Sequence, residues 1–108
     1  MNDQTPQRMT VDEYLPWAIA QGGRWELIDG RPFKMPSETL GHIDVKALVW
    51  LALKELASTS GADLHVLSDG ATVRIDQRNA NEPDALVYAG PQRPASSLEV
   101  PDPVIVVE

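Results

Sequence analysis

The segment Glu82-Pro83-Asp84-Ala85-Leu86-Val87-Tyr88 places a carboxylate directly before an apolar run that is typical of a buried strand. The reverse order occurs in Val104-Ile105-Val106-Val107-Glu108, where the acid follows the apolar run. A carboxylate costs several kcal/mol to bury without a partner, so acids at the edges of apolar strands imply hydrogen bonds, cations or metal ions beside them. Asp84 and Glu108 are therefore the first candidate site residues.

A third candidate acid, Glu26, lies in Trp25-Glu26-Leu27-Ile28-Asp29-Gly30. The pair Asp29-Gly30 is typical of a tight hairpin turn, and residues 24–28 and 32–35 flank it. The segment therefore predicts a β-hairpin that carries Glu26 on its first strand.

Two helices are predicted around this hairpin. Thr10-Val11-Asp12-Glu13 is a capping box that opens a helix to about Gln21, within which Pro16 predicts a kink or a later start. A longer helical pattern runs from about Glu38 to Thr59 and is stopped by Gly61. Because its apolar residues surround much of its circumference, we expect this second helix to be buried.

The second half of the chain predicts strands. Residues 64–67 and 71–75 surround Ser68-Asp69-Gly70 and predict a second hairpin, followed by a polar loop over residues 77–83. Residues 85–89 and 104–108 predict two further strands. The order of elements predicts an α+β domain over residues 10–108, with a mixed sheet packed on the long helix, after a flexible arm over residues 1–9.

Composition excludes several classes of protein. Cysteine is absent, which excludes disulfides and thiolate metal sites, and no apolar run approaches the ~18 residues that span a bilayer. We therefore expect a cytoplasmic protein without a membrane partner. The net charge of −7 argues against tight binding to a polyanion, so binding to DNA is only a weak expectation.

An ordered series of short motifs resembles the Uma-type restriction endonucleases, a family of the PD-(D/E)xK nuclease superfamily. The motifs follow the first capping box and cover nearly the whole chain: Trp25 to Gly30, Met35-Pro36-Ser37, His42 at the start of the long helix, Glu82-Pro83-Asp84, and Asp102-Pro103 before residues 104–108. The series is more specific than any one of its members.

The resemblance implies a restriction-endonuclease-like core, an α/β/α arrangement around a mixed sheet, that hydrolyses DNA phosphodiester bonds with Mg²⁺ or Mn²⁺. By position in the motifs, Asp84 is the acid after proline, Glu108 is the (D/E) acid, and Glu26 is an additional acid, and all three are expected as catalytic residues and metal ligands. The lysine that the family carries after the second acid does not follow Glu108. We therefore expect the chain to be the front part of a longer domain, with the C-terminal part missing.

Each residue alone also has a structural interpretation. Pro83-Asp84 is a common turn dipeptide, and Glu26 could form a solvated ion pair with Arg24 or Arg31. His42 is interpreted as a polar residue at the opening of a helix rather than as a ligand.

The alternative function is that of a truncated, inactive relative that acts as an interaction or dimerisation module. The apolar strand over residues 104–107 would leave an unfinished sheet edge, so a two-fold homodimer is expected. A small-ligand binding domain has no motif in its favour.

Overall fold

Helix α1 (Val11–Gln21) begins at the predicted capping box. The computed structural model describes residues 8–108, so most of the expected flexible arm lies outside the described residues. The Thr10 hydroxyl accepts a hydrogen bond from the Glu13 N–H at 3.2 Å, and the Glu13 carboxylate accepts one from the Thr10 N–H at 2.9 Å. Pro16 lies inside α1, so the late start considered for this helix is wrong.

The predicted hairpin is confirmed as strands β1 (Trp25–Ile28) and β2 (Arg31–Lys34). Both turn residues have positive φ, 49° at Asp29 and 76° at Gly30, which is the conformation that a tight hairpin turn requires. A Cβ atom on Gly30 would lie 3.1 Å from the carbonyl oxygen of Met9. Met9 is buried, and its N–H donates to the Gly30 carbonyl oxygen at 2.7 Å, so Met9 packs on this turn.

Strand β3 (Leu64–Leu67) and strand β4 (Val73–Asp76) do not pair with each other, so the predicted second hairpin is wrong. β4 pairs with β5 (Asn79–Asn81), which lies in the segment expected to be a polar loop. The reason is a local turn: the Asp76 carboxylate accepts hydrogen bonds from the Arg78 N–H at 2.8 Å and the Asn79 side-chain amide at 2.9 Å. These bonds turn the chain back immediately after β4.

The strands form two antiparallel sheets. One sheet has the order β2-β1-β5-β4, and the other places strand β6 (Ala85–Ala89) between β3 and strand β7 (Ile105–Val107). All residues from Ala85 to Tyr88 are buried, as the apolar run predicts for a central strand. The acid that precedes this run therefore lies at one end of the most buried strand.

Helix α2 (Leu40–Thr59) packs against β3 and β6. The expectation that this helix is buried is wrong, because none of its residues is buried and Leu40 is 82% exposed. Only one face lies on the three-stranded sheet, and no described element covers the other apolar side chains.

Ile105 and Val106 on the edge strand β7 are also about half exposed. The expected homodimer stays a prediction.

Two helices and two antiparallel sheets make an α+β fold, which confirms the predicted class and is consistent with a restriction-endonuclease-like core. Within residues 8–108, neither helix combines the length and apolarity needed to cross a membrane.

Leu27 provides a test of the core beneath the hairpin. It is fully buried in a cluster with Met9, Val11, Tyr14 and Ala80. We expect Leu27→Ala to lower the free energy of unfolding by about 2 to 5 kcal/mol, because it removes apolar contacts and leaves a cavity. Urea unfolding followed by circular dichroism measures the change.

The matched control is Ile28→Ala on the same strand. Ile28 is 48% exposed, so its truncation should cost less than about 1 kcal/mol. Equal losses for the two variants would contradict the assignment of this core.

Candidate metal centre

Asp84 lies immediately before the central strand β6, at the end of the sheet where β7 finishes. Its backbone N–H donates to the carbonyl oxygen of Val107 at 2.8 Å, and Ala85 pairs with Val107. Glu108 is the next residue after Val107 and is exposed. The sheet thus brings the chain positions of Asp84 and Glu108 to adjacent strand ends.

The carboxylate of Asp84 also faces the beginning of helix α2. Among residues 8–108, one group of three metal-binding side chains has ligand atoms that all lie within 4.8 Å of one another: Glu38, His42 and Asp84. His42 Nε2 lies 3.2 Å from a carboxylate oxygen of Glu38 and 3.6 Å from one of Asp84. Two carboxylates and an imidazole therefore converge on one point.

Local helix chemistry explains how Glu38 and His42 come together. The Thr39 hydroxyl accepts a hydrogen bond from the His42 N–H at 3.2 Å, so Thr39 caps α2 and Glu38 immediately precedes this cap. Residues four apart on a helix lie on one side, which aligns His42 with Lys46, and the contacts of Glu38 with both extend this row beyond the helix start. This spacing is visible in the sequence, but the interpretation of His42 as a simple polar residue missed it.

Two cationic side chains of this protein lie beside the Glu38 and Asp84 carboxylates. Lys46 Nζ is 2.7 Å from a Glu38 oxygen and 3.8 Å from an Asp84 oxygen. Arg24 directly precedes β1. Its guanidinium lies 3.4 Å from a carboxylate oxygen of Glu38 and 3.9 Å from one of Asp84. The four-stranded sheet therefore contributes a charge to a site whose acids come from the other sheet and from the helix start.

Two further carboxylates adjoin these cations. Asp69, in the turn after β3, lies 2.6 Å from Lys46 Nζ. Glu82 Oε2 lies 3.7 Å from Arg24 Nε, and both atoms are buried without a hydrogen-bond partner. Counting Glu38 and Asp84, four carboxyl groups face two permanently charged cations at this site. This surplus of acids favours an additional cation.

Glu26 lies outside this group. It is half-buried on β1 opposite Phe33, and its negative charge is one of the causes that raise the pKa of Glu82, after burial. Glu26 is therefore near the acidic site without belonging to the three convergent ligands. The roles of Glu26 and Glu108 as metal ligands stay predictions.

The comparison with protein families identifies the chain. Residues 11–108 match the Uma2 family model, whose description is "Putative restriction endonuclease". The chain belongs to the Uma2 family. The comparisons with curated proteins and with solved structures returned no match. Membership in Uma2 confirms the resemblance drawn from the motifs and supports a nuclease-like function at the level of the family.

Glu82 gives this site a testable pH dependence. Burial raises the pKa of Glu82 above its ordinary value of 4.5, although Arg24 partly opposes the shift. The folded chain then binds the Glu82 proton more tightly than the unfolded chain, so this group removes stability as the pH rises from the ordinary pKa through the raised one. Because glutamine cannot titrate, the stability of Glu82→Gln should rise relative to that of the wild type over this interval.

The measurement is the free energy of unfolding in urea at several pH values. Glu55→Gln, on the exposed surface of α2, is the matched control and should follow the wild-type curve. Parallel curves for Glu82→Gln and the wild type would contradict the raised pKa of Glu82.

Proposed function

We propose that this chain is a metal-dependent endonuclease domain that hydrolyses DNA phosphodiester bonds, with Asp84 at its metal centre. The observation that carries the proposal is the convergence of Glu38, His42 and Asp84 within 4.8 Å at the end of the central strand. Membership in a family described as a restriction endonuclease supplies the reaction class.

The donor set fits a divalent cation. Carboxylate oxygens are the donors that Mg²⁺ and Mn²⁺ prefer, and imidazole is a common ligand of the later first-row metals. Asp84 and Glu38 would hold the ion, with His42 as a third donor on the solvent side, since its side chain is 47% exposed. The site also attracts positive charge in this structure, because the Lys46 ammonium already contacts Glu38.

Hydrolysis of a phosphodiester needs neutralised charge at the phosphate and an activated water. When bound, Mg²⁺ or Mn²⁺ supplies both. The chain's own residues hold the reacting groups in place: the backbone bond from Asp84 to Val107 fixes the strand end, and Arg24 holds the Asp84 and Glu38 carboxylates near each other. Because these carboxylates are half-buried, their attraction to the Arg24 guanidinium is stronger than it would be in open water.

The net charge of −7 opposes the approach of DNA. A divalent cation at Asp84 would reduce that repulsion where the phosphate must bind, so cleavage should depend steeply on the metal concentration. Assays belong at low salt, where the interaction between the site and a phosphate is least screened.

Asp84→Asn tests the proposed centre. We expect Mn²⁺ affinity, measured by calorimetry, to fall at least about 10-fold, because an amide cannot replace a charged ligand. Cleavage of a short labelled duplex should fall at least about 100-fold. Glu38→Gln should weaken Mn²⁺ binding in the same direction.

Asp44→Asn is the matched control, because Asp44 is an exposed acid on the same helix that lies outside the group of three ligands. It should bind Mn²⁺ and cleave as the wild type does. A wild-type chain that binds no Mn²⁺, or an Asp84→Asn variant that binds it unchanged, would refute the proposed centre.

Glu108 and Glu26 complete the set of acids expected from the motifs. We expect Glu108→Gln to weaken Mn²⁺ binding by about 10-fold, since Glu108 follows the residue whose carbonyl accepts from Asp84. Glu26→Gln should have a smaller effect, because Glu26 acts through the charges around Glu82. Calorimetric titrations that match the wild type would assign the corresponding residue to structure.

A further inference from the structure

Lys46 is the least solvent-exposed charged side chain of the candidate metal centre. Its side chain is 9% exposed, compared with 17% for Asp84 and 23% for Glu38. A lysine is rarely so buried unless it is paired. Lys54, two turns further along the same helix, shows the ordinary situation: it is exposed and lies over the ring of Trp50 at 5.5 Å.

The Lys46 ammonium occupies the space between three carboxylates. It donates to both oxygens of Glu38, at 2.7 and 2.9 Å, and lies 2.6 Å from Asp69. The third carboxylate, that of Asp84, is 3.8 Å away. Two of these three groups, Glu38 and Asp84, belong to the convergent ligand set, so the ammonium binds or adjoins the same carboxylates that a divalent cation would need.

Two positive charges cannot share these oxygens without cost. At a separation of about 4 Å, like charges repel by several kcal/mol in a partly buried site. The Lys46 head group is carried on a flexible four-carbon stem, so it can leave Glu38 while the stem stays packed and Asp69 still holds it. An ammonium retained beside Asp69 then stays next to the proposed metal site, since Asp84 is 3.8 Å from it in this structure.

We propose that Lys46 is the internal counter-ion of this metal centre: its ammonium competes with the divalent cation for Glu38 and, once released from that carboxylate, contacts the substrate phosphate. The inference rests on the proposed function and assigns a positioning charge to it. Ammonium groups bind phosphate well as compact point charges with three donors.

The ammonium is charged in the folded chain. Burial lowers the pKa of Lys46, but the hydrogen bonds to Asp69 and Glu38 outweigh this effect, so the pKa is raised overall. The same contact lowers the pKa of Glu38. The competition with a metal ion is therefore one between two cations and does not need a proton to leave Lys46.

Lys46→Met distinguishes this role from a structural one, because the two readouts should move in opposite directions. Without the ammonium, Mn²⁺ should bind at least about 5-fold more tightly by calorimetry, since one competing charge is gone. Cleavage of the duplex should nevertheless fall at least about 100-fold, since the charge at the phosphate is gone as well. A purely structural lysine would instead weaken both metal binding and cleavage.

Three comparisons complete the experiment. Lys54→Met makes the same change at an exposed position of the same helix and should match the wild type in both readouts. Lys46→Gln removes the charge but keeps a polar head group, which secures a folded variant if methionine disturbs packing. In the unaltered chain, Mg²⁺ should shift the Lys46 side-chain carbon signals in NMR spectra and leave those of Lys54 unchanged.

The inference is overturned if Lys46→Met and Lys46→Gln bind Mn²⁺ no more tightly than the wild type, or cleave as fast as it does. Unchanged Lys46 signals on addition of Mg²⁺ would overturn it as well, provided that calorimetry shows binding. If the proposed function itself is wrong, the result is different: the wild type neither binds the metal nor cleaves DNA.

Discussion

Arg24 is the contact on which the site and the arrangement of the two sheets both depend. Its guanidinium lies between 3.4 and 3.9 Å from carboxylate oxygens of Glu38, Asp69, Glu82 and Asp84, and it donates to the Glu82 carbonyl at 3.2 Å. Arg24 precedes β1, whereas Asp84 precedes β6 in the other sheet. A planar group with five donors suits this bridging position better than an ammonium would. Without it, four acids would repel one another at the junction between the sheets.

This junction is not optimised for stability. The Nε of Arg24 and Oε2 of Glu82 are buried without hydrogen-bond partners, and burial raises the pKa of Glu82. Buried groups left unsatisfied in this way cost free energy, and natural proteins retain them mainly where binding or chemistry requires them. The surplus of carboxylates at Asp84 therefore lowers stability, since an apolar pair of similar size would pack there more stably.

Local patterns predicted the elements well, and the pairing of distant strands poorly. The capping box at Thr10 and the turn at Asp29-Gly30 each involve side chains within a few residues, so the sequence determines them directly. The partner of β3 could not be read in this way, because alternating apolar residues show that a strand has a buried face but do not show which strand lies beside it. The burial of α2 was also overestimated, since an apolar circumference does not show that every side is covered.

In the candidate site, too, local sequence signals predicted one residue, and the packing of distant elements added the others. Asp84 was predicted because an acid before an apolar strand is a local signal, and the structure adds residues that arrive from elsewhere in the chain. A helix rises about 1.5 Å per residue, so side chains spaced by four residues advance about 6 Å along one face. His42 and Lys46 can therefore line the edge of the sheet, with Glu38 just before the helix, provided that α2 lies on β6, as it does. The row of residues at the helix start and the acid at the strand end are thus separate local signals, and packing of the helix on the sheet brings them together.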